Sequence, residues 1–363
     1  MRLAEIIRQY AADYRQRYPL HCTPERAQAL RAIQHCRSAM APQLLATCSA
    51  CDETRLIPHS CGHRSCPHCQ HFEGEIWLER QRRLRVPAEY FLLTFTLPRE
   101  LRPLALRAPK ALYAALFVAA WATVQAFCRN DRQLKGEAGA VAVLHTHSRR
   151  LELHPHIHLA MPAATLDARQ RRWRTKRGYL FNHQALAKVF RGKLLAALKA
   201  AGQPLPSQLP VKWVVDCKSV GDGEKALVYL GRYLYRGVLR EDDILASTGG
   251  QVCFRYRDSQ SGEMKIRSLS GADFLRLILQ HVLPKGFRRA RNYGFLHPNK
   301  KHLIALLQIV LKVKPRTQPA ATQPRPRFLC SCCGAPMAIK RRRMQPAAAD
   351  RRRTTDLPTE AAM

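Results

Sequence analysis

At 363 residues, with 61 Lys plus Arg against 26 Asp plus Glu, the chain has room for a buried core with smaller appendages and carries its positive excess along most of its length. Such a balance points to a polyanionic partner, nucleic acid ahead of an acidic protein, and implies binding rather than catalysis. Residues 1–18, MRLAEIIRQYAADYRQRY, mix acids and arginines in an amphipathic pattern with no apolar core or small-residue cleavage site, so a cytoplasmic, nucleoid-associated protein is expected.

The first segment, to about Gln70, reads as helical until roughly Met40 and then as an irregular Cys/His-rich stretch ending in SCGHRSCPHCQ. A basic helix is expected from Ile76 to Arg85, then a buried strand from Tyr90 to Leu97 stopped by Pro98. Helices fill most of 103–134. Within them the uncharged run Ala111–Cys128 is long enough to suggest a membrane span. It is mostly alanine and contains Tyr113, Thr123 and Gln125, so a buried helix is the reading adopted, with no membrane partner. Gly139–His147 and Leu151–Met161 form an expected hairpin across a basic turn. A basic loop with Arg171, Arg172, Arg174, Lys176 and Arg177 leads to a helix over Gln184–Ala200, a strand over Val211–Cys217 and a helix over Asp222–Tyr235. Gln251–Asp258 and Glu263–Leu269 read as a second hairpin, followed by a helix to about His281. Past Lys314 the sequence is rich in Pro, Arg, Ala and Thr without periodicity, as in a disordered tail with a local CSCCG knot.

Two constellations could carry chemistry. In Leu151-Glu-Leu-His154-Pro-His156-Ile-His158-Leu, strand alternation puts His154, His156 and His158 on one face and Ile157 and Leu159 in the core. Imidazoles at i and i+2 can grip one divalent ion. With the turn at Arg150-Leu151, His145 falls opposite His156 on the same face, and His147 would pair with His154 as an outer layer. A solvated sheet face is the bland alternative, and five histidines of matching parity weigh against it. Three histidines with open positions suit a Lewis acid on a phosphate oxygen and would also admit zinc. In Ala226-Leu-Val-Tyr229-Leu-Gly-Arg-Tyr233-Leu-Tyr235, helical geometry puts Tyr229 and Tyr233 on one side and Tyr235 roughly opposite Tyr233. Such spacing usually means core packing. Beside a metal-polarised phosphate, however, a phenolic oxygen is a competent nucleophile. Lys225, one turn before Tyr229, could contact a phosphate.

HPHIH followed by YLGRYLYR resembles the IS91 family of transposases, two-tyrosine members of the HUH endonuclease superfamily. HVLPKGFRRARNYG (His281–Gly294) is similar to a further segment of that family, and the Cys-rich N-terminus to its zinc-binding domain. The resemblance covers about residues 20–300. It implies an α+β chain with an RRM-like antiparallel sheet, and Mg2+ or Mn2+ held by His156 and His158. His145 fits the third position, where other branches use a carboxylate or an amide. Tyr229 and Tyr233 match the two nucleophiles. The implied reaction is cleavage and rejoining of single-stranded DNA at element ends and target through a 5′-phosphotyrosine, driving rolling-circle-like transposition. No nucleotide cofactor is expected, since the phosphotyrosine conserves the diester's energy and there is no P-loop motif. A plasmid replication initiator or relaxase of the same chemistry, and a non-catalytic zinc-module DNA-binding protein, are the rival readings.

Cys48-x2-Cys51 and Cys66-x2-Cys69 are two knuckles at a separation suited to one tetrahedral four-sulfur zinc site. Cys36 and Cys61, with His63, His68 and His71, remain as possible ligands of a second ion. The family has a histidine where this chain has Ser65. Cys330-x2-Cys333, beside Cys332, is half a zinc site or a pair of flexible thiols, and the charge run Lys340–Arg343 is a solvated tail or a phosphate contact. The expected division is a zinc-binding, DNA-binding module (1–75), an HUH-type catalytic domain (76–314) and a basic tail (315–363).

Overall fold

The computed structural model describes residues 2–167, 172–235, 237–313 and 328–344, so Arg171 and most of the expected tail lie outside the described residues. The chain opens with α1 (Leu3–Arg17) and α2 (Pro24–Gln34), then β1 (Gln43–Cys48), β2 (Thr54–Pro58) and α3 (His71–Arg83). The central part comprises β3 (Tyr90–Thr96), α4 (Arg102–Arg107), α5 (Pro109–Asn130), β4 (Glu137–His147), β5 (Leu153–Pro162), β6 (Ala164–Asp167), β7 (Arg172–Thr175), α6 (His183–Ala200), β8 (Val215–Ser219) and α7 (Glu224–Tyr235). Then come β9 (Ile244–Thr248), β10 (Gln251–Arg257), β11 (Met264–Ser270), α8 (Gly271–Leu279), β12 (Ala290–Gly294), α9 (Lys301–Val310) and β13 (Met337–Met344).

The main sheet runs β7-β6-β4-β5-β3-β8, with β12 also paired to β4, and every pairing is antiparallel. β5 is therefore central, flanked by β4 and β3. Alternation gives the sheet two faces. Leu93, Phe95, Leu144, Ile157 and Leu159 pack under α5 and α6, while Val141, Val143 and Ala160 pack with Leu230 and Leu234 of α7 and Trp77 of α3. The histidine side chains share parity with this second set, so the fold delivers them to α7.

Local chemistry sets the element ends. Asn182 caps α6 by accepting from the Ala185 amide, Ser270 caps α8 by accepting from Asp273, and Pro109 opens α5. Helix α5 is the one described helix long and apolar enough to cross a membrane. Its Leu112, Leu116, Phe117 and Val124 belong to the core against the sheet and α6, as the buried-helix reading expects.

One expected strand needs correction. The strand expected from Val211 begins at Val215, because Val211 and Val214 are exposed while Trp213 turns into the core and its indole N–H donates to the Pro210 carbonyl. The second hairpin forms as expected, β10 antiparallel to β11, and β9 adds a third strand in the order β11-β10-β9. Ile6, Ile7, Tyr10 and Tyr14 of α1 share a core with Phe254, Phe274, Leu275 and Ile278, joining the chain's start to β10 and α8.

Candidate active site and cysteine clusters

His145 lies directly opposite His156 in the β4–β5 ladder, and His158 is flanked by Val143 and Thr94. One ligand nitrogen from each of His145, His156 and His158 lies within 4.8 Å of the others. The ring orientations are set by hydrogen bonds. His156 Nδ1 lies 2.7 Å from the His154 carbonyl, which requires it to carry the proton, and His158 Nδ1 lies 2.9 Å from Thr94 Oγ1. The His156 Nε2 is thereby left for an electrophile, the arrangement that fixes a tautomer in metal sites, while Thr94 steadies the His158 ring.

Burial drops the His158 imidazole to about 3, with His156 adding to the effect, and drops His156 to about 4. His145 is also held well below the usual 6.5, first by burial and then by His158 and His156. All three are neutral at physiological pH, the form that ligates. His145 Nε2 is fully buried with no hydrogen-bond partner among the described residues. An orphaned buried nitrogen facing two others fits a divalent cation held among them.

His147 does not pair with His154 as expected. The ladder shifts register between His145 and His147, and His147 falls opposite Leu153. The cause lies on α7: the Tyr233 hydroxyl accepts from the amides of Thr146 and His147 at 3.0 and 3.2 Å, drawing them out of the strand pairing. The Tyr233 ring stacks on His145 at 3.2 Å between centroids and on His147 at 4.7 Å, with the Arg289 guanidinium 4.7 Å from its centroid.

Tyr229, one turn earlier, is 46 % exposed and its hydroxyl lies 3.4 Å from His158 Nε2. Burial raises its pKa above 10.0, with Tyr233 adding to the effect, so the phenol is protonated at neutral pH. Tyr235 turns away and packs against Trp77, as the helical spacing requires. Lys225 is exposed one turn before Tyr229.

Neither Thr94 nor Arg289 stands out in the sequence. Arg289 sits in the KGFRRARNYG segment, where β12 pairs Ala290–Gly294 with Val143–Gly139 and brings the Arg289 Nε–H to the Leu144 carbonyl at 3.0 Å. Gly294 enables that pairing: at φ +59° its Cα faces the Ala138 carbonyl so closely that a Cβ would sit 1.6 Å from the oxygen.

The cysteines form two clusters, and neither is the one expected. Cys66 and Cys69 converge with Cys36 and Cys61, whereas Cys48 and Cys51 converge with Cys330 and Cys333. In the first cluster Cys69 Sγ lies 3.3 Å from Cys36 and 3.6 Å from Cys61. Four thiolates around zinc at about 2.3 Å would stand roughly 3.8 Å apart, so this donor set fits the ion with a small expansion. Among the histidines, His68 instead pairs with Glu241 and His71 with Glu75.

Residues 139–302 match a family model described as "Putative transposase", and residues 6–97 match one described as "Transposase zinc-binding domain". "Putative transposase y4qJ" of Sinorhizobium fredii (strain NBRC 101917 / NGR234) is 32% identical over 81% of this chain and 80% of its own length. The transposase for insertion sequence element IS801 of Pseudomonas savastanoi pv. phaseolicola is 30% identical over 68% of this chain and 64% of its own. A solved conjugative relaxase, TrwC in complex with oriT DNA in a metal-bound structure, is similar at 20% identity over 35% of this chain and 49% of that one, with a TM-score of 0.26. The chain belongs to the IS91 family of transposases and carries that family's zinc-binding domain at its N-terminal end.

Proposed function

We propose that this transposase cleaves and rejoins single-stranded DNA through a tyrosine, with Tyr229 as the first nucleophile and Tyr233 as the second. The observation that carries the reading is the buried, unpartnered His145 Nε2 beside His156 and His158, with the Tyr229 hydroxyl 3.4 Å from His158 Nε2. A divalent cation at the histidines, Mg2+ or Mn2+, would polarise a phosphate oxygen. Tyr229 Oη attacks phosphorus and gives up its proton to solvent. The P–O3′ bond breaks, and the departing 3′ oxygen takes up a proton. The products are a 5′-phosphotyrosine and a free 3′-hydroxyl, and attack by a 3′-hydroxyl on the same phosphorus reverses the step.

The difference between the tyrosines supports the order. Tyr229 is half exposed, while the Tyr233 hydroxyl is engaged by two backbone amides and is released only if the bulge in β4 relaxes. Lys225, exposed on α7 one turn before Tyr229, would contact a phosphate beside the scissile one. Zinc at Cys36, Cys61, Cys66 and Cys69 would hold the loop before α3, with no open position for chemistry.

The test is incubation with single-stranded oligonucleotides from the element's own ends plus Mg2+ or Mn2+, followed by denaturing electrophoresis. A covalent adduct is expected, lost with chelator and in Tyr229→Phe/Tyr233→Phe. An adduct that persists in that double variant, or none with any end sequence, overturns the proposal.

A further inference from the structure

We propose that Cys48, Cys51, Cys330 and Cys333 bind a second structural zinc ion, which clasps the far end of the chain to the N-terminal module and presents a basic strand to DNA phosphates. The two halves of the cluster are the same local structure used twice. The amide of Cys48 donates to the Glu53 carbonyl at 2.8 Å, and that of Cys330 donates to Ala335 at 2.9 Å. The amide two residues after each first cysteine points at its sulfur, Ala50 to Cys48 and Cys332 to Cys330, both at 3.4 Å. Each turn closes through a left-handed residue four positions on, Asp52 at φ +54° and Gly334 at φ +72°. These are two matched knuckles facing one another.

Between them Cys48 Sγ lies 3.4 Å from Cys333, and Cys51 Sγ lies 3.6 Å from Cys330 and 3.5 Å from Cys333. That is too far for disulfides, which need about 2.05 Å, and close to what four thiolates around zinc require. Packing alone is a poor candidate for holding the knuckles together. The buried residues of this cluster are Ala46, Cys48, Cys330 and Met337, with Ile57 and Ala335 against them. A core this small needs a metal or a cross-link.

The metal's consequence is read from the strand that follows. β13 pairs antiparallel with β1, Cys48 opposite Met337 and Leu45 opposite Arg341, and forms an edge of the β13-β1-β2 sheet. Lys340, Arg341 and Arg342 are exposed on it, and among the described residues no carboxylate pairs with them. An unneutralised basic edge strand suits a phosphate backbone.

Zinc content is measured in a His145→Ala/His156→Ala background, which keeps zinc off the histidines. That protein is expected to hold two zinc ions by native mass spectrometry with no cysteine changed. Cys330→Ser/Cys333→Ser is expected to hold one, and so is Cys48→Ser/Cys51→Ser. Two ions retained in Cys330→Ser/Cys333→Ser, or one ion in the background protein, overturns the site. One ion with four alkylation-resistant thiols would show disulfides instead and overturns it as well. Lys340→Ala/Arg341→Ala/Arg342→Ala is expected to keep both ions and to lower the slope of log affinity against log salt for single-stranded DNA by about 2, at about 0.7 per phosphate contact. An unchanged slope overturns the DNA contact.

Discussion

Replacing Tyr233 with phenylalanine separates the two tyrosines. The ring is kept, so its stacking on His145 and His147 survives, and only the hydroxyl that accepts from the Thr146 and His147 amides is lost. The Thr146 and His147 amides are both left without their acceptor, and an unsatisfied buried donor costs about 1–3 kcal/mol. A destabilisation of about 2–6 kcal/mol follows for the two donors together, a fall of several degrees or more in the melting temperature. Because Tyr229 and the three histidines are untouched, the first covalent adduct should form within a few-fold of the wild-type rate in single turnover, while a second cleavage by the adducted enzyme should be lost. Circular dichroism melts and a denaturing-gel time course read both quantities. If Tyr233→Phe abolishes the first adduct while Tyr229→Phe keeps it, the assignment drawn from exposure and hydrogen bonding is wrong.

Thr94→Val removes the partner of His158 Nδ1. It should weaken Mn2+ binding roughly 10-fold or more by calorimetry, and unaltered affinity would remove Thr94 from the site's support. His281, buried with its imidazole pushed down to about 3 by burial, stays neutral in the folded protein while its unfolded counterpart protonates below about 6.5. Its folded pKa is depressed, so the stability it contributes is present above 6.5 and is lost as pH falls toward 3, at about 1.4 kcal/mol per pH unit. His281→Gln, which can still donate to the Leu151 carbonyl, should therefore lose about 2 kcal/mol less than wild type between pH 7.5 and 5.0 in urea titrations. Parallel losses would contradict the buried neutral state. Gly294→Ala forces a Cβ into the Ala138 carbonyl at a left-handed φ. It should cost more than about 2 kcal/mol and lower soluble yield, whereas a wild-type melt would argue against the close β12–β4 approach.

The alternation of His154, His156 and His158 and the four-residue spacing of Tyr229 and Tyr233 are properties of a single strand and a single helix, so they were legible without a fold. The pairing of His145 with His156 was legible too, because a short turn leaves few registers open. What failed was non-local. His147 departs from its expected partner because a hydroxyl from α7, 86 residues away, takes its amide. Cys48 and Cys51 find Cys330 and Cys333 rather than the nearer Cys66 and Cys69, since a Cys-x2-Cys knuckle supplies two sulfurs and carries no signal of which other pair completes it. Likewise α1 announces an apolar stripe but not that α8 covers it. Arg289 lay inside a segment noted for its resemblance. Its place over Tyr233 depends on β12 joining β4, a pairing that the sequence of either strand alone does not specify.

The central claim is that Tyr229 carries the cleaved DNA end. It is tested most directly by trapping the protein on a single-stranded element end with Mn2+, digesting both components and mapping the nucleotide-bearing peptide by mass spectrometry. The expected result is a 5′-phosphonucleotide on Tyr229 after the first cleavage. A nucleotide on Tyr233 or Tyr235 at that stage, or a cleaved end attached to no tyrosine, would contradict the account.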